Sequence, residues 1–222
     1  MSFKDEIFQL SSEIIEQILL KSEALYKDRF YKNKIKRLNI TDKIASYSPE
    51  KRLIELNYIL HSTNSRSRSL FYINKNHNYS NIRITFLYSP DLDASGSSDF
   101  SNQSIMINLF QISSLTELQS TLIHELTHLK DWEYSSVLMR NYYENGLEYF
   151  THPLEIKPWL MEIWFYQTIN KSSFEDTILE LLGMYCDENQ ISEISDFYRF
   201  KIENDEFYRN TFYCLLENQN CA

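Results

Sequence analysis

Apolar residues recur at helical spacing near the start of the chain. The residues that mark this pattern are Ile7, Leu10, Ile14, Ile18 and Leu25. Because positions three, four or seven apart share one face of an α-helix, the pattern predicts a packing helix over residues 3–32. A second helix is predicted to begin at Pro49 and to end near residue 61. Towards the end of the chain the same spacing predicts helices over residues 173–185, 190–203 and 205–218.

The middle of the chain is predicted to contain strands. Ile82, Ile84 and Phe86 alternate with polar residues between Asn81 and Tyr88, which is typical of a strand with one buried face. Shorter apolar runs predict further strands over residues 70–73 and 103–110. The segment from residue 90 to 102 is rich in Asp and Ser and is predicted to be a loop.

A further helix is predicted to begin at Ser114. The sequence from Ser114 to Glu117 has the Ser-x-x-Glu form of a capping box. A stripe of leucines follows at helical spacing and predicts the buried face, consisting of Leu115, Leu118, Leu122, Leu126 and Leu129. Thr121, His124, Glu125 and His128 fall off this stripe and predict a second, polar surface on the same helix.

This polar surface carries the sequence His124-Glu125-Leu126-Thr127-His128, an HExxH motif. Histidines four residues apart on a helix lie one turn above each other, so both imidazoles can bind one metal ion. The intervening Glu125 can act as general base on a water molecule at that ion. The motif therefore predicts a metal centre with hydrolytic chemistry.

Two histidines do not complete a catalytic zinc site, which needs three protein ligands. The longer HExxHxxGxxH continuation is absent, because Asp131 and Tyr134 stand at its Gly and last His positions. Asp131 is too far along the helix to be the third ligand and is either a partner of the His128 ring or a solvated residue. A later helix that begins at Pro153 offers Glu155 and Glu162, and either could supply the third ligand.

The arrangement resembles the gluzincin branch of zincin metallopeptidases, in which HExxH is followed by Glu on a second helix. More narrowly, Pro153-Leu154-Glu155-Ile156 is similar to the Pro-x-Glu-hydrophobic-x-Ala segment of small zincin-like proteins of phages and bacteria. The resemblance implies Zn²⁺ held by His124, His128 and Glu155, and peptide-bond hydrolysis with Glu125 as base. One departure is Pro158, which stands where those proteins have Ala.

The resemblance also implies the fold, which is α+β and zincin-like, mostly helical with a small mixed sheet next to the HExxH helix. A single domain over residues 1–222 is predicted, with an N-terminal helical part (1–65), a sheet and metal-binding core (66–165) and C-terminal helices (166–222). In a zincin-like fold the strand before the HExxH helix, here Ser104–Leu109, can pair with an extended substrate. An ordinary interior strand is the alternative.

A hydrolase of this kind often needs a donor that stabilises the oxyanion formed at the scissile carbonyl. Tyr149 and His152 are the candidates for this catalytic role, because they adjoin Glu155 in the sequence. Two other functions stay open, namely a catalytically weak structural or binding protein of the zincin fold, for example a phage particle component, and a helical adaptor without metal. The presence of Glu125 argues against the first, because a structural zinc needs no base.

Composition and charge limit the classes of molecule that the protein is predicted to bind. The net charge of −9 over 222 residues argues against nucleic acid, so a peptide or protein substrate is the predicted partner. The sequence shows neither a secretory signal nor an apolar run of membrane-spanning length, which predicts a cytoplasmic protein without membrane contact. Cys186, Cys214 and Cys221 match no metal motif or disulfide frame and are predicted to be reduced. The sequence gives no indication of oligomeric state.

Overall fold

The computed structural model describes residues 2–27, 29, 33, 36–37, 48, 52, 73–75, 82–87, 89–131 and 147–217. Over these residues the protein is α+β, mostly helical with one small mixed sheet, which confirms the predicted fold class at this level. The helix predicted from Pro49 to residue 61 lies outside the described residues apart from Arg52. Tyr134 lies outside them as well.

The described helices are α1 (Phe3–Lys27), α2 (Leu115–Lys130), α3 (Leu147–Thr151), α4 (Pro153–Asn170), α5 (Phe174–Leu182), α6 (Glu188–Asn204) and α7 (Glu206–Phe212), followed by a 3-10 turn at Tyr213–Leu215. The predictions for α1, α2 and α4 to α7 are confirmed, with ends that differ by a few residues. The described part of the first helix is Phe3–Lys27, and residues 28 and 30–32 of the predicted helix lie outside the described residues.

The strands are β1 (Ile73–Lys75), β2 (Ile82–Leu87), β3 (Gly96–Asp99) and β4 (Ser104–Asn108), in the spatial order β1-β2-β4-β3. β2 and β4 are parallel, while β1 and β3 pair antiparallel with their neighbours. β2 and β4 confirm the stronger predictions, and β1 overlaps the predicted strand at Ile73 only. The prediction of a loop over residues 90–102 is wrong for β3.

The chain divides into two compact units, and the first comprises Phe8–Leu129. Its core contains apolar residues of β2, β4 and α2, which include Ile84, Phe86, Ile105, Ile107, Leu118, Leu122 and Leu126. Helix α2 also contacts α1, where the Gln119 side-chain amide donates hydrogen bonds to the hydroxyls of Ser11 and Ser12.

Asn108, at the end of β4, organises the loop before β3. Its buried side chain accepts hydrogen bonds from the backbone N–H groups of Ser89 and Phe110 and donates to the carbonyls of Ser89 and Leu92. Four bonds to backbone groups satisfy the whole hydrogen-bonding capacity of one amide side chain. This clamp therefore fixes the chain that leads into β3.

The second unit comprises Met1–Ile7 and Lys130–Ala222. Its core is formed by apolar residues of α4 to α7, which include Leu160, Met161, Phe165, Phe174, Ile178, Ile194, Ile202 and Phe212. The Lys157 ammonium forms an ion pair with Asp131 at 2.5 Å and lies over the rings of Phe3 and Phe207. These contacts hold the first turns of α4, where Lys157 is located.

Two further observations concern the predicted environment of the protein. Cys186 has a free thiol, but Cys214 is disulfide-bonded, so the prediction of reduced cysteines is wrong for Cys214. Among the described helices, none combines the length and the apolar character that crossing a bilayer requires.

Candidate metal centre

Helix α2 is buried on all sides over its second half. Every residue from Leu122 to Leu129 is buried, including His124, Glu125 and His128, which are 7%, 6% and 9% exposed. The sequence predicted a polar surface opposite the leucine stripe, and the structure covers that surface as well. The imidazoles and the carboxylate of the motif thus lie in the protein interior.

The start of α2 is capped largely as predicted. The Ser114 hydroxyl accepts a hydrogen bond from the Glu117 N–H, as in a capping box. The Glu117 carboxylate, however, accepts from the N–H and hydroxyl of Ser113 rather than from the N–H of Ser114. The reciprocal bond is therefore shifted by one residue.

The α-helical spacing brings the two histidines into direct proximity. The Nε2 atoms of His124 and His128 lie 3.1 Å apart. Two nitrogens bound to one tetrahedral ion, with metal bonds of about 2.05 Å, stand about 3.3 Å apart. The spacing along a single helix therefore brings the two nitrogens close to the separation that one ion requires.

The N-terminus of α4 presents the third group. His152 is the N-cap and its Nδ1 accepts a hydrogen bond from the Leu154 N–H at 3.3 Å, with Pro153 at the first helical position. Glu155 follows in the first turn and is 2% exposed. The helix continues through Pro158 to Asn170, so the proline that departs from the family pattern leaves α4 intact.

His124, His128 and Glu155 form the one metal-ligating cluster found among the described residues. Each offers one ligand atom, and these atoms lie within 4.8 Å of one another. The cluster selects Glu155 from the two glutamates that the sequence left open, because Glu162 is outside it. Compared with an ideal spacing of about 3.3 Å, the widest separation requires an adjustment of at most about 1.5 Å on metal binding.

The donor set fits a divalent metal ion. It consists of two imidazole nitrogens and one carboxylate oxygen, which are ligands of zinc and of several other transition metals. An ionised carboxylate that is buried costs several kcal/mol unless a cation or hydrogen bonds compensate for its charge. A divalent ion at this position supplies compensation of the right sign for Glu155.

The proposed base is packed against the sheet. A Cβ atom added to Gly96 of β3 would lie 2.7 Å from Thr121 Cγ2 and 2.9 Å from Glu125 Oε1. Real Cβ atoms essentially never lie this close to another heavy atom, so the Thr121 or Glu125 side chain would have to shift if residue 96 carried a Cβ. The Phe100 ring, just after β3, meets the His128 ring edge-on with centroids 6.3 Å apart.

The remaining predicted residues have structural contacts. Tyr149 is half-buried and meets the rings of Phe150 and Trp159 edge-on. His152 serves as N-cap of α4, and its Nδ1 is engaged as an acceptor there. Asp131 forms the ion pair with Lys157. The oxyanion-donor role of Tyr149 or His152 remains a prediction.

Sequence reasoning missed three residues around the site, namely Gly96, Phe100 and Tyr198. Gly96 is one of only three glycines in the chain, and that scarcity was the available signal. Phe100 and Tyr198 belong to a chain with 14 Phe and 16 Tyr, so neither stands out by its type. Their positions depend on tertiary contacts.

Comparison with known proteins adds no relative. No protein-family model, no curated protein and no solved structure matches the chain.

The three-ligand cluster predicts which variants lose metal. His128→Ala and Glu155→Gln should each raise the dissociation constant for Zn²⁺ more than about 100-fold, because loss of even a residue behind a ligand typically costs 10–100-fold. Glu162→Gln is the matched control, being a buried glutamate on the same helix outside the cluster, and should bind as the wild type does. Affinity is measured by competition with a chromophoric chelator.

The opposite pattern would reassign the ligand. Tight binding by Glu155→Gln together with weak binding by Glu162→Gln would make Glu162 the third ligand. Equal affinity in wild type and His128→Ala would exclude the cluster as a metal centre.

Proposed function

We propose that the protein is a zinc-dependent peptidase that hydrolyses peptide bonds in a peptide or protein substrate. The observation that carries the proposal is the buried His124–His128–Glu155 cluster with Glu125 beside it on α2 and outside the ligand set. Two His and one Glu leave the fourth position of a tetrahedral zinc for water, which is the pattern of catalytic sites. Structural zinc sites normally use four protein ligands.

The roles of the residues follow from their chemistry. His124, His128 and Glu155 would hold the ion, which, when bound, acidifies a water molecule and polarises the scissile carbonyl. The Glu125 carboxylate accepts a proton from the attacking water and returns it to the amine that leaves. Its packing against β3 restricts its side-chain conformations, so the proton acceptor is held in place before substrate arrives.

Replacement of the base separates binding from catalysis. Glu125→Gln keeps the shape of the side chain but cannot accept the proton, so zinc affinity should be unchanged while kcat falls about 10²- to 10⁴-fold. Hydrolysis of a dye-labelled unfolded protein measures kcat, and chelator competition measures zinc. A zinc-loaded wild type without hydrolysis, or a variant as active as the wild type, would contradict catalysis and favour a binding protein of this fold.

The sheet offers an edge for the substrate, but not where the sequence placed it. The predicted strand, β4, is flanked by β2 and β3, so the alternative of an interior strand is the correct one. Among the described residues, β3 is the outer strand on this side. We therefore assign strand addition by an extended peptide to β3, whose Gly96 lies against the proposed base.

The register shows which backbone groups of β3 point away from β4. The Asn108 N–H donates to the Ser95 carbonyl at 2.8 Å, one position beyond the Gly96–Ile107 pair. Hydrogen-bonded and non-hydrogen-bonded pairs alternate in an antiparallel ladder, so the next bonded residue of β3 is Ser97. The N–H and C=O groups of Gly96 and Ser98 consequently face away from β4, towards the open edge.

A proline at Ser98 tests this edge. Ser98→Pro removes an outward N–H and leaves the bonds to β4 in place, a situation in which edge strands tolerate proline. Loss of one hydrogen bond to the substrate should raise KM about threefold to tenfold, with zinc affinity unchanged. Ser98→Ala, which keeps the N–H, is the control and should match the wild type. Equal KM values for all three proteins would exclude β3 as the substrate edge.

Gly96 provides a test of the position of the base. In Gly96→Ala the new methyl group must displace Thr121 or Glu125, so kcat should fall about 10- to 100-fold while His124 and His128 still bind zinc. Ser97→Ala, at the neighbouring exposed position of β3, is the matched control and should retain full activity. A Gly96→Ala protein with normal kcat would show that the Glu125 position does not depend on this contact.

A further inference from the structure

Tyr198 is a buried phenol outside the ligand set. It lies on α6, is 0% exposed and belongs to the largest fully buried side chains of the described residues. Its hydroxyl donates a hydrogen bond of 2.8 Å to the carbonyl of Phe150. A buried hydroxyl is costly unless it is hydrogen-bonded, so this contact fixes α6 to the backbone of α3.

The backbone that Tyr198 holds leads directly to the third ligand. Phe150 lies in α3, which ends at Thr151, and His152 then begins α4. The His152 N–H donates to the Tyr149 carbonyl, and the Glu155 N–H donates to the His152 carbonyl at 2.8 Å. The residues from Tyr149 to Glu155 therefore form one hydrogen-bonded corner, and Glu155 lies at its end.

The Tyr198 phenol is protonated as well as buried. Burial raises the pKa of Tyr198 well above its usual range, and the negative charge of Glu155 raises it further. The hydroxyl thus keeps its proton at any working pH and remains a donor to Phe150.

We propose that Tyr198 is a positioning residue for Glu155, which sets the approach of the carboxylate to His124 and His128 by anchoring the corner between α3 and α4. This inference rests on the proposed zinc centre. Loss of the hydroxyl leaves the Phe150 carbonyl without its donor and lets the corner relax. Glu155 is the one ligand of the cluster that α2 does not supply, so the order of the corner that carries it governs affinity.

The test compares two buried hydroxyls of the same unit. Tyr198→Phe keeps the ring. Thr177→Val is the control, because Thr177 lies on α5 and its buried hydroxyl bonds only the Ser172 hydroxyl and the Ser173 carbonyl just before that helix, among the contacts described. Both changes should lower the urea midpoint of the metal-free protein. Only Tyr198→Phe should raise the dissociation constant for Zn²⁺, by about tenfold, the lower range for residues behind a ligand.

A double variant shows whether the effect passes through Glu155. In a Glu155→Gln background, Tyr198→Phe should cause no further loss of zinc affinity, since the residue it positions has gone. An additive tenfold loss in the double variant would overturn the proposal, as would an equal loss of affinity in Thr177→Val.

If Tyr198→Phe does not fold, replacement of Tyr198 by 4-aminophenylalanine retains a donor, and that protein should bind zinc within about threefold of wild type. If the 4-aminophenylalanine variant folds but loses zinc affinity tenfold or more, the proposal is also overturned.

The zinc centre and the positioning role of Tyr198 can be contradicted by different results. A wild type that takes up no zinc would remove the metal centre itself, and the positioning role with it. A wild type that binds zinc tightly beside a Tyr198→Phe protein of equal affinity would remove only the role of Tyr198.

Discussion

The burial of ionisable side chains is the constraint on which the rest of the structure depends. His124, Glu125, His128 and Glu155 all lie in the interior, where an uncompensated charge is expensive. A chain gains nothing in stability by placing two carboxylates and two imidazoles there when apolar residues would pack as well. The arrangement is therefore understandable as a site in which a bound cation would offset the cost of burial.

The elements that could be predicted from the sequence are those whose pattern is local. Helix α2 could be predicted from its cap and its leucines, and β2 from the alternation of Ile82, Ile84 and Phe86 with polar residues. β3 was missed because its four residues are Gly, Ser, Ser and Asp, which are typical of loops. What makes this segment a strand is its pairing with β4 and the close approach of Gly96 to α2, and neither contact leaves a periodic signal.

The site residues also fall into those that local spacing predicts and those that depend on tertiary contacts. The positions of His124 and His128 follow from four-residue spacing on one helix, so their proximity was predictable. Glu155 was one of two candidates from the sequence, and the choice between them needed the fold. The contacts of Gly96 and Tyr198 join segments 29 and 48 residues apart, as with Gly96–Glu125 and Tyr198–Phe150, and no single-sequence pattern encodes them. Asp131 likewise acquired a partner, Lys157, that spacing along α2 did not suggest.

The 3.1 Å separation of the two Nε2 atoms has a consequence for metal exchange. Because α2 is rigidly buried, two donor atoms are ordered before any ion arrives, and little conformational entropy is lost when they bind. Such preorganisation would favour binding of an ion first to the histidine pair, with the Glu155 carboxylate joining afterwards. Glu155, which a separate helix supplies, would be the ligand whose departure frees a bound ion, so the lifetime of that ion would depend on the start of α4 more than on α2.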